Sequence, residues 1–206
     1  TDKDFNAVEA AKFGLLLKLL EDENEPSLNG VAKPVLPDLS ANIHYGNSLI
    51  APDKVTNPAE KGPINPFDYS GYEFDIIVGN PPYMNTEGMK NITPLELPIY
   101  KRTFESAYKQ FDKYFLFIEQ GFNLLKEGGL LGYIVPSKFY KVGAGQKVRE
   151  LLTKGKSIRK VVSFGANQVF DDKTTYTCLL ILEKAKNDTF EYAEVKKLSD
   201  WKVGNF

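Results

Sequence analysis

Phe74-Asp75-Ile76-Ile77-Val78-Gly79-Asn80-Pro81-Pro82-Tyr83 is a short apolar run that stops on Asn-Pro-Pro-Tyr. The run predicts a buried β-strand. Two prolines cannot continue a ladder, and they hold Asn80 extended. The pattern therefore predicts a rigid shelf at the carboxyl end of a strand. It offers the Asn80 amide oxygen, the Pro81 carbonyl and the Tyr83 ring. Two acceptors beside an aromatic face suit a planar group bearing an NH₂, stacked on the ring and donating both hydrogens. As that nitrogen becomes tetrahedral its lone pair leaves conjugation and can attack an electrophile. The acceptors stabilise the positive charge that develops, so no strong base is required.

Outward from this stretch, strands and helices alternate. Asn6-Ala7-Val8-Glu9 has capping-box spacing and apolar residues recur to Leu20, which predicts a helix over about 6–23 ending in an acidic cluster at 22–25. Ile43 and Tyr45 predict a short strand before Gly46-Asn47. Residues 51–71 hold four prolines and two glycines and read as a long loop. A second polar loop follows Tyr83 to about Leu97. Helices are expected at 99–108, at 112–125 (stopped by Gly128-Gly129) and at 146–153. Strands are expected at 130–135, closed by Pro136, and at 158–164, 175–182 and 190–195. The alternation implies an α/β fold with a mostly parallel sheet. Ligands in such sheets bind beyond the carboxyl ends of the strands, where Asn47, Asn80 and Pro136 are expected to gather.

The chain has 206 residues, enough for one domain with a sizeable core. No segment approaches the ~18 apolar residues of a membrane span. The polar, acidic start does not resemble a signal peptide, so a cytoplasmic location and no membrane partner are expected. The single cysteine, Cys178, lies in an apolar run and reads as packing. His44 stands alone, and no Cys/His spacing suggests a metal. Net charge is −1, but 136–160 holds eight basic residues and one acid, Glu150, whereas 1–25 holds seven acids and three bases. Such asymmetry can orient a molecule on a polyanion, and equally marks a solvated helix face.

Taken together, these motifs resemble the amino-group DNA methyltransferases, in particular the N6-adenine enzymes of type IIG and type I restriction–modification systems. Asn80-Pro81-Pro82-Tyr83 is similar to their catalytic motif, Asp/Asn/Ser-Pro-Pro followed by an aromatic residue. The resemblance implies a Rossmann-like fold dependent on S-adenosylmethionine, with a mostly parallel sheet and a terminal antiparallel strand. It implies that Asn80 and the Pro81 carbonyl hold the target N6 while Tyr83 stacks on an adenine flipped out of double-stranded DNA. Asn47 takes the position that contacts the cofactor adenine, Asp2 (or Asp4) that of the acid on the ribose hydroxyls, and Asn80 borders the cofactor as well. Phe170, in Val169-Phe170-Asp171-Asp172, takes the position that packs on the flipped base. Lys138, Lys141, Lys147 and Arg149 are the candidates for the DNA backbone.

The family's Phe-x-Gly-x-Gly cofactor loop is absent from the sequence, as is a long target-recognition domain after Trp201. The expectation is therefore a fragment truncated at the amino end of the fold. Residues 1–186 would form a partial catalytic domain, with loops at 51–72 and 84–98, and 187–206 would begin a connection to a target-recognition domain. The parent chain could also carry a nuclease. Enzymes acting on the glutamine amide of a protein or on an rRNA base share the Asn-Pro-Pro-Tyr motif and remain alternatives, as does a non-catalytic DNA-binding module.

Overall fold

A computed structural model describes residues 1–21, 37–170 and 176–199. The chain divides into two compact units, Thr1–Tyr69 and Ser70–Phe206. In the first, helix α1 (Phe5–Leu20) is capped by Asp4, whose carboxylate accepts from the Asn6 and Ala7 amides. The cap thus lies two residues before the expected capping box, because an aspartate in extended conformation can reach both orphan donors. The end of the expected helix and its acidic cluster, 22–25, lie outside the described residues. Val8 is the buried residue of α1, while Phe13, Leu15, Leu17 and Leu19 are exposed.

The segment around residue 45 forms bridges rather than a full strand. Asp2 pairs in parallel with Tyr45, and Asn47 with Pro66. The expected loop at 51–72 contains two 3₁₀ turns, Pro52–Lys54 and Pro58–Glu60, and a short helix α2 (Lys61–Ile64). Leu49, Ile50, Val55 and Ile64 form its buried interior.

The second unit is built on a five-stranded sheet in the order β1-β2-β4-β3-β5. Its strands are β1 (Phe74–Gly79), β2 (Leu125–Pro136), β3 (Ile158–Ser163), β4 (Thr177–Glu183) and β5 (Glu191–Glu194). β1 is parallel to β2 and β3 to β5, while β4 is antiparallel to both β2 and β3. Four strands therefore share one direction. The antiparallel strand expected late in the chain is β4, inserted between β2 and β3; the expected strand start at Thr175 lies outside the described residues.

Helix α3 (Thr86–Ile92) occupies what the sequence suggested was a polar loop, and α4 (Leu97–Thr103) follows. Asn85 starts α3 by accepting the Gly88 amide at 2.8 Å, a local cap that a search for apolar period does not register. Helix α5 (Lys113–Asn123) buries Tyr114, Phe115, Leu116 and Ile118, and α6 (Gln146–Lys154) buries Val148 and Leu152. A Cβ on Gly121 would stand 2.7 Å from both Leu131 and Tyr133 atoms of β2, so glycine lets α5 settle directly on the sheet. Gly128-Gly129 does not stop α5, which has ended before β2 begins. These glycines make a bulge: Phe74 pairs with Leu125 but Ile76 pairs with Leu130. Gly128 takes φ +76°, and a Cβ on Gly129 would lie 3.0 Å from the Phe74 carbonyl oxygen.

β1 is an edge strand, and its expected burial does not hold. Ile76 and Val78 are 65% and 77% exposed. An apolar run signals a strand but not how many neighbours cover it.

Candidate active site

The ladder between β1 and β2 ends where Gly79 meets Tyr133. The next residue, Asn80, is exposed, and Pro81 and Pro82 bring no N–H with which to extend the pairing. Tyr83 takes over the tie to β2. Its hydroxyl lies 2.7 Å from Asn80 Oδ1 and 3.0 Å from the Ile134 carbonyl oxygen, and it is the donor in both contacts. The structure thus brings Asn80 and Tyr83 together just past β1, with a tyrosine hydroxyl between the motif's own amide and the end of β2. Burial, with a smaller contribution from Cys178, pushes the Tyr83 phenol up to about 12. It therefore stays protonated, and a donor, throughout the neutral range.

Beneath the shelf sits Tyr114. It is fully buried, its ring meets Tyr83 edge-on at 6.1 Å and 75°, and its hydroxyl donates to the Pro136 carbonyl at 3.1 Å. Two tyrosines thus bind carbonyls two residues apart at the carboxyl end of β2. The chain leaving the shelf is pinned as well. Lys113 N donates to the Met84 carbonyl at 2.7 Å, Asn85 bridges Asp112, and the Thr86 hydroxyl donates to the Phe111 carbonyl at 2.7 Å. Deeper still, Lys113 Nζ lies 3.2 Å from Glu96, which also accepts from the Tyr100 hydroxyl at 2.6 Å. Sequence reading named none of Tyr114, Ile134, Glu96 or Lys113 for the site. Ile134 acts through its backbone, which no residue type advertises. Tyr114 and Lys113 open a strongly amphipathic helix, and a polar atom on the buried side of such a helix is the signal that could have found them.

Pro136 gathers with Asn80 at this end of the sheet, as expected, since the strand it closes pairs with β1. Phe170 is half-buried and lies on the segment leaving β3 at the same end. Its companions Asp171 and Asp172 lie outside the described residues.

In the first unit, Asp2 and Asn47 come onto neighbouring segments: Asp2 N donates to the His44 carbonyl and Gly46 N to the Asp2 carbonyl, at 3.0 and 2.7 Å. The exposed Asp2 carboxylate accepts from Asp4 N at 2.8 Å and presents an acceptor suited to hydroxyl groups. Asn47 is 2% exposed, and its amide oxygen accepts from Leu49 N at 3.0 Å. Its side chain therefore shapes the turn. Asp4, the alternative acid, is the cap of α1.

The basic stretch is largely paired within the chain. Lys138 meets Asp112 at 2.9 Å and Lys147 meets Glu150 at 2.9 Å. Arg149 Nη1 donates to the carbonyls of Phe139 and Val142 at 2.5 and 2.9 Å. Lys141 is exposed. Among the described residues, no group of three or more His, Cys, Asp or Glu side chains could hold a metal ion, and no helix is long and apolar enough to cross a membrane.

A mostly parallel sheet with one inserted antiparallel strand, helices on it and a proline-stopped motif beyond β1 define the α/β fold of S-adenosylmethionine-dependent methyltransferases. A solved structure from Listeria monocytogenes, assigned to the class I enzymes of that kind, superposes with a TM-score of 0.51 at 23% identity, covering 67% of this chain and 42% of that one. The chain belongs to the Eco57I restriction-modification methylase family, whose model matches residues 1–170. It is 56% identical to the type II restriction enzyme and methyltransferase RM.Eco57I of Escherichia coli over 97% of its own length. It is 30% identical, over 56% of its length, to the type II methyltransferase M.BstVI of Geobacillus stearothermophilus. It spans 20% of the length of each of these relatives.

Proposed function

We propose that this chain carries the target-amine site of a DNA methyltransferase that methylates adenine N6 within a restriction–modification system. The observation that carries the reading is the Asn80-Pro81-Pro82-Tyr83 shelf at the carboxyl end of β1, with the Tyr83 hydroxyl bound at Asn80. Asn80 Oδ1 and the Pro81 carbonyl accept the two hydrogens of the adenine amino group. Tyr83, joined by Phe170, stacks on the flipped base. The two acceptors favour a tetrahedral nitrogen and stabilise the positive charge it gains, which aims the lone pair at the methyl donor.

S-adenosylmethionine, when bound, supplies an electrophilic methyl group. Asp2, beside the turn that Asn47 closes, would accept hydrogen bonds from the cofactor's ribose hydroxyls. Of the basic candidates, Lys141 is exposed and would meet the DNA backbone, whereas Lys138 and Lys147 would have to exchange Asp112 and Glu150 for phosphate and Arg149 is held on the carbonyls of Phe139 and Val142. Residues 1–186 are read as part of the catalytic domain; β5 adds a further strand to its sheet, so a connection onward would begin after Glu194 and not at 187, with 200–206 outside the described residues. Kinship with a combined restriction enzyme and methyltransferase supports a parent chain that also holds a nuclease and a target-recognition domain. A DNA substrate is consistent with a cytoplasmic location.

The test is methyl transfer by the full-length protein, using methyl-labelled S-adenosylmethionine and duplex DNA, with the product digested to nucleosides. Label in N6-methyladenine is expected. Label on cytosine or only on protein, or no transfer at all, would overturn the reading.

A further inference from the structure

The Tyr83 hydroxyl has one proton and two acceptors. Asn80 Oδ1 is at 2.7 Å and the Ile134 carbonyl at 3.0 Å. We propose that this hydroxyl is a positioning group that sets which end of the Asn80 amide faces the target amine, and that the Ile134 carbonyl takes over its proton once the amine has bound. The inference rests on reading Asn80 as the acceptor of that amine.

An amide has two unlike ends. Its oxygen accepts from an incoming NH₂, whereas its own NH₂ repels it, and a half-turn about the last side-chain bond exchanges them. Asn80 is exposed, so packing does not choose between the two. The hydroxyl chooses while its proton is given to Asn80 Oδ1, as in the 2.7 Å contact; only with that proton on Ile134 could its oxygen accept from the amide NH₂ instead. Tyr83 is held from below by the edge-on ring of Tyr114 at 6.1 Å and from the side by the Ile134 carbonyl, so its hydroxyl meets Asn80 from a set direction.

The second acceptor matters once the amine arrives. An oxygen that already accepts from a phenol is a weaker acceptor for the nitrogen that is becoming positive. With Ile134 in reach, the phenol proton turns to the backbone carbonyl, the Asn80 oxygen regains its full acceptor strength, and no hydrogen bond is lost. The carbonyl is available because it lies one residue past Tyr133, the last ladder partner of β1, next to prolines that bring no N–H.

The experiment is Tyr83→Phe in the full-length protein, which keeps the stacking ring. Loss of one neutral hydrogen bond is expected to lower kcat by roughly 3- to 10-fold, with KM for DNA unchanged and the thermal midpoint close to wild type. The same substitution is then made in an Asn80→Asp background. A carboxylate has two equivalent acceptor ends and nothing to orient, so Tyr83→Phe should there change kcat by less than about twofold. A role in support of the fold would act equally in both backgrounds. Unchanged kcat for Tyr83→Phe, a rise in KM alone, or an equal loss in both backgrounds overturns the proposal. If Asn80→Asp is itself silent, the split between kcat and KM for Tyr83→Phe decides. Failure of the wild-type protein to methylate adenine strikes instead at the functional reading on which the proposal stands.

Discussion

Lys138 Nζ lies 2.9 Å from the Asp112 carboxylate, whose side chain is 8% exposed. The first lysine of the basic stretch is therefore the counter-ion of a buried acid at the head of α5. Arg149 is turned inward on the carbonyls of Phe139 and Val142, and Arg159 and Lys160 meet Glu183 and Glu191. A run of cations in sequence becomes, in three dimensions, mostly a set of pairs, with Lys141 and Lys154 exposed.

The cations should accordingly separate by effect. Lys141→Ala in the full-length protein is expected to reduce the slope of log affinity for DNA against log salt by about 0.9, the value for one phosphate contact. Arg149→Ala is expected to lower stability by ~1.5–3 kcal/mol through its lost charged hydrogen bonds. Salt titrations and denaturant unfolding measure the two. An unchanged slope for Lys141→Ala would return it to the solvated surface.

Asn80→Ala removes one of two acceptors aimed at the target nitrogen. By analogy with loss of one preorganised group at a developing charge, kcat should fall by about 10²–10³. Asn80 is exposed and makes one bond to Tyr83, so the unfolding midpoint should hardly move. Equal methylation by wild type and variant would remove Asn80 from catalysis.

Much of this fold was legible in the sequence because its strands are apolar runs bounded by Gly and Pro. β1, β2, β3 and β4 all fall where such runs occur, and the Asn80–Tyr83 shelf follows from two prolines after one of them. What escaped depends on strand neighbours and on side-chain caps, neither of which an apolar pattern registers. Ile76 and Val78 look buried in a string of letters, but exposure depends on the strand's neighbours. Helix α3 has no apolar stripe and is fixed by the Asn85 cap and the Lys113–Met84 bond. The sequence also does not show that the Asn47 amide oxygen accepts from Leu49 N two residues on, a local partner always within reach of an Asn side chain.

Tyr83→Ala deletes the ring that would stack on the target base. Affinity for duplex DNA should weaken by ~1–3 kcal/mol, the usual value for one stacked base. Replacing the target adenine with an abasic site should erase the difference between wild type and variant. A difference that survives at the abasic site would assign the loss to the Ile134 tie instead.

Lys113→Met removes the ammonium 3.2 Å from Glu96, whose side chain is 2% exposed and also accepts from the Tyr100 hydroxyl. Removal of one partner from a buried pair typically costs ~3–5 kcal/mol. Because Lys113 N also holds Met84, the loss should appear in chemical denaturation and in lowered protection of the 84–86 amides from hydrogen exchange. A change below about 1 kcal/mol would mean that water already reaches the pair.

Alkaline stability offers a check on the buried β4 thiol. Burial pushes Cys178 up from 9.0 to about 11. The folded protein holds this proton more tightly than the unfolded chain. Its contribution is therefore complete below pH 9 and is lost as pH rises through about 11. Cys178→Ala introduces a constant packing deficit and removes the titrating group. The gap in thermal midpoint between wild type and Cys178→Ala should thus be level up to pH 9 and shrink from there to about pH 11. A gap that stays constant over this window would show that the thiol titrates alike in the folded and unfolded chain.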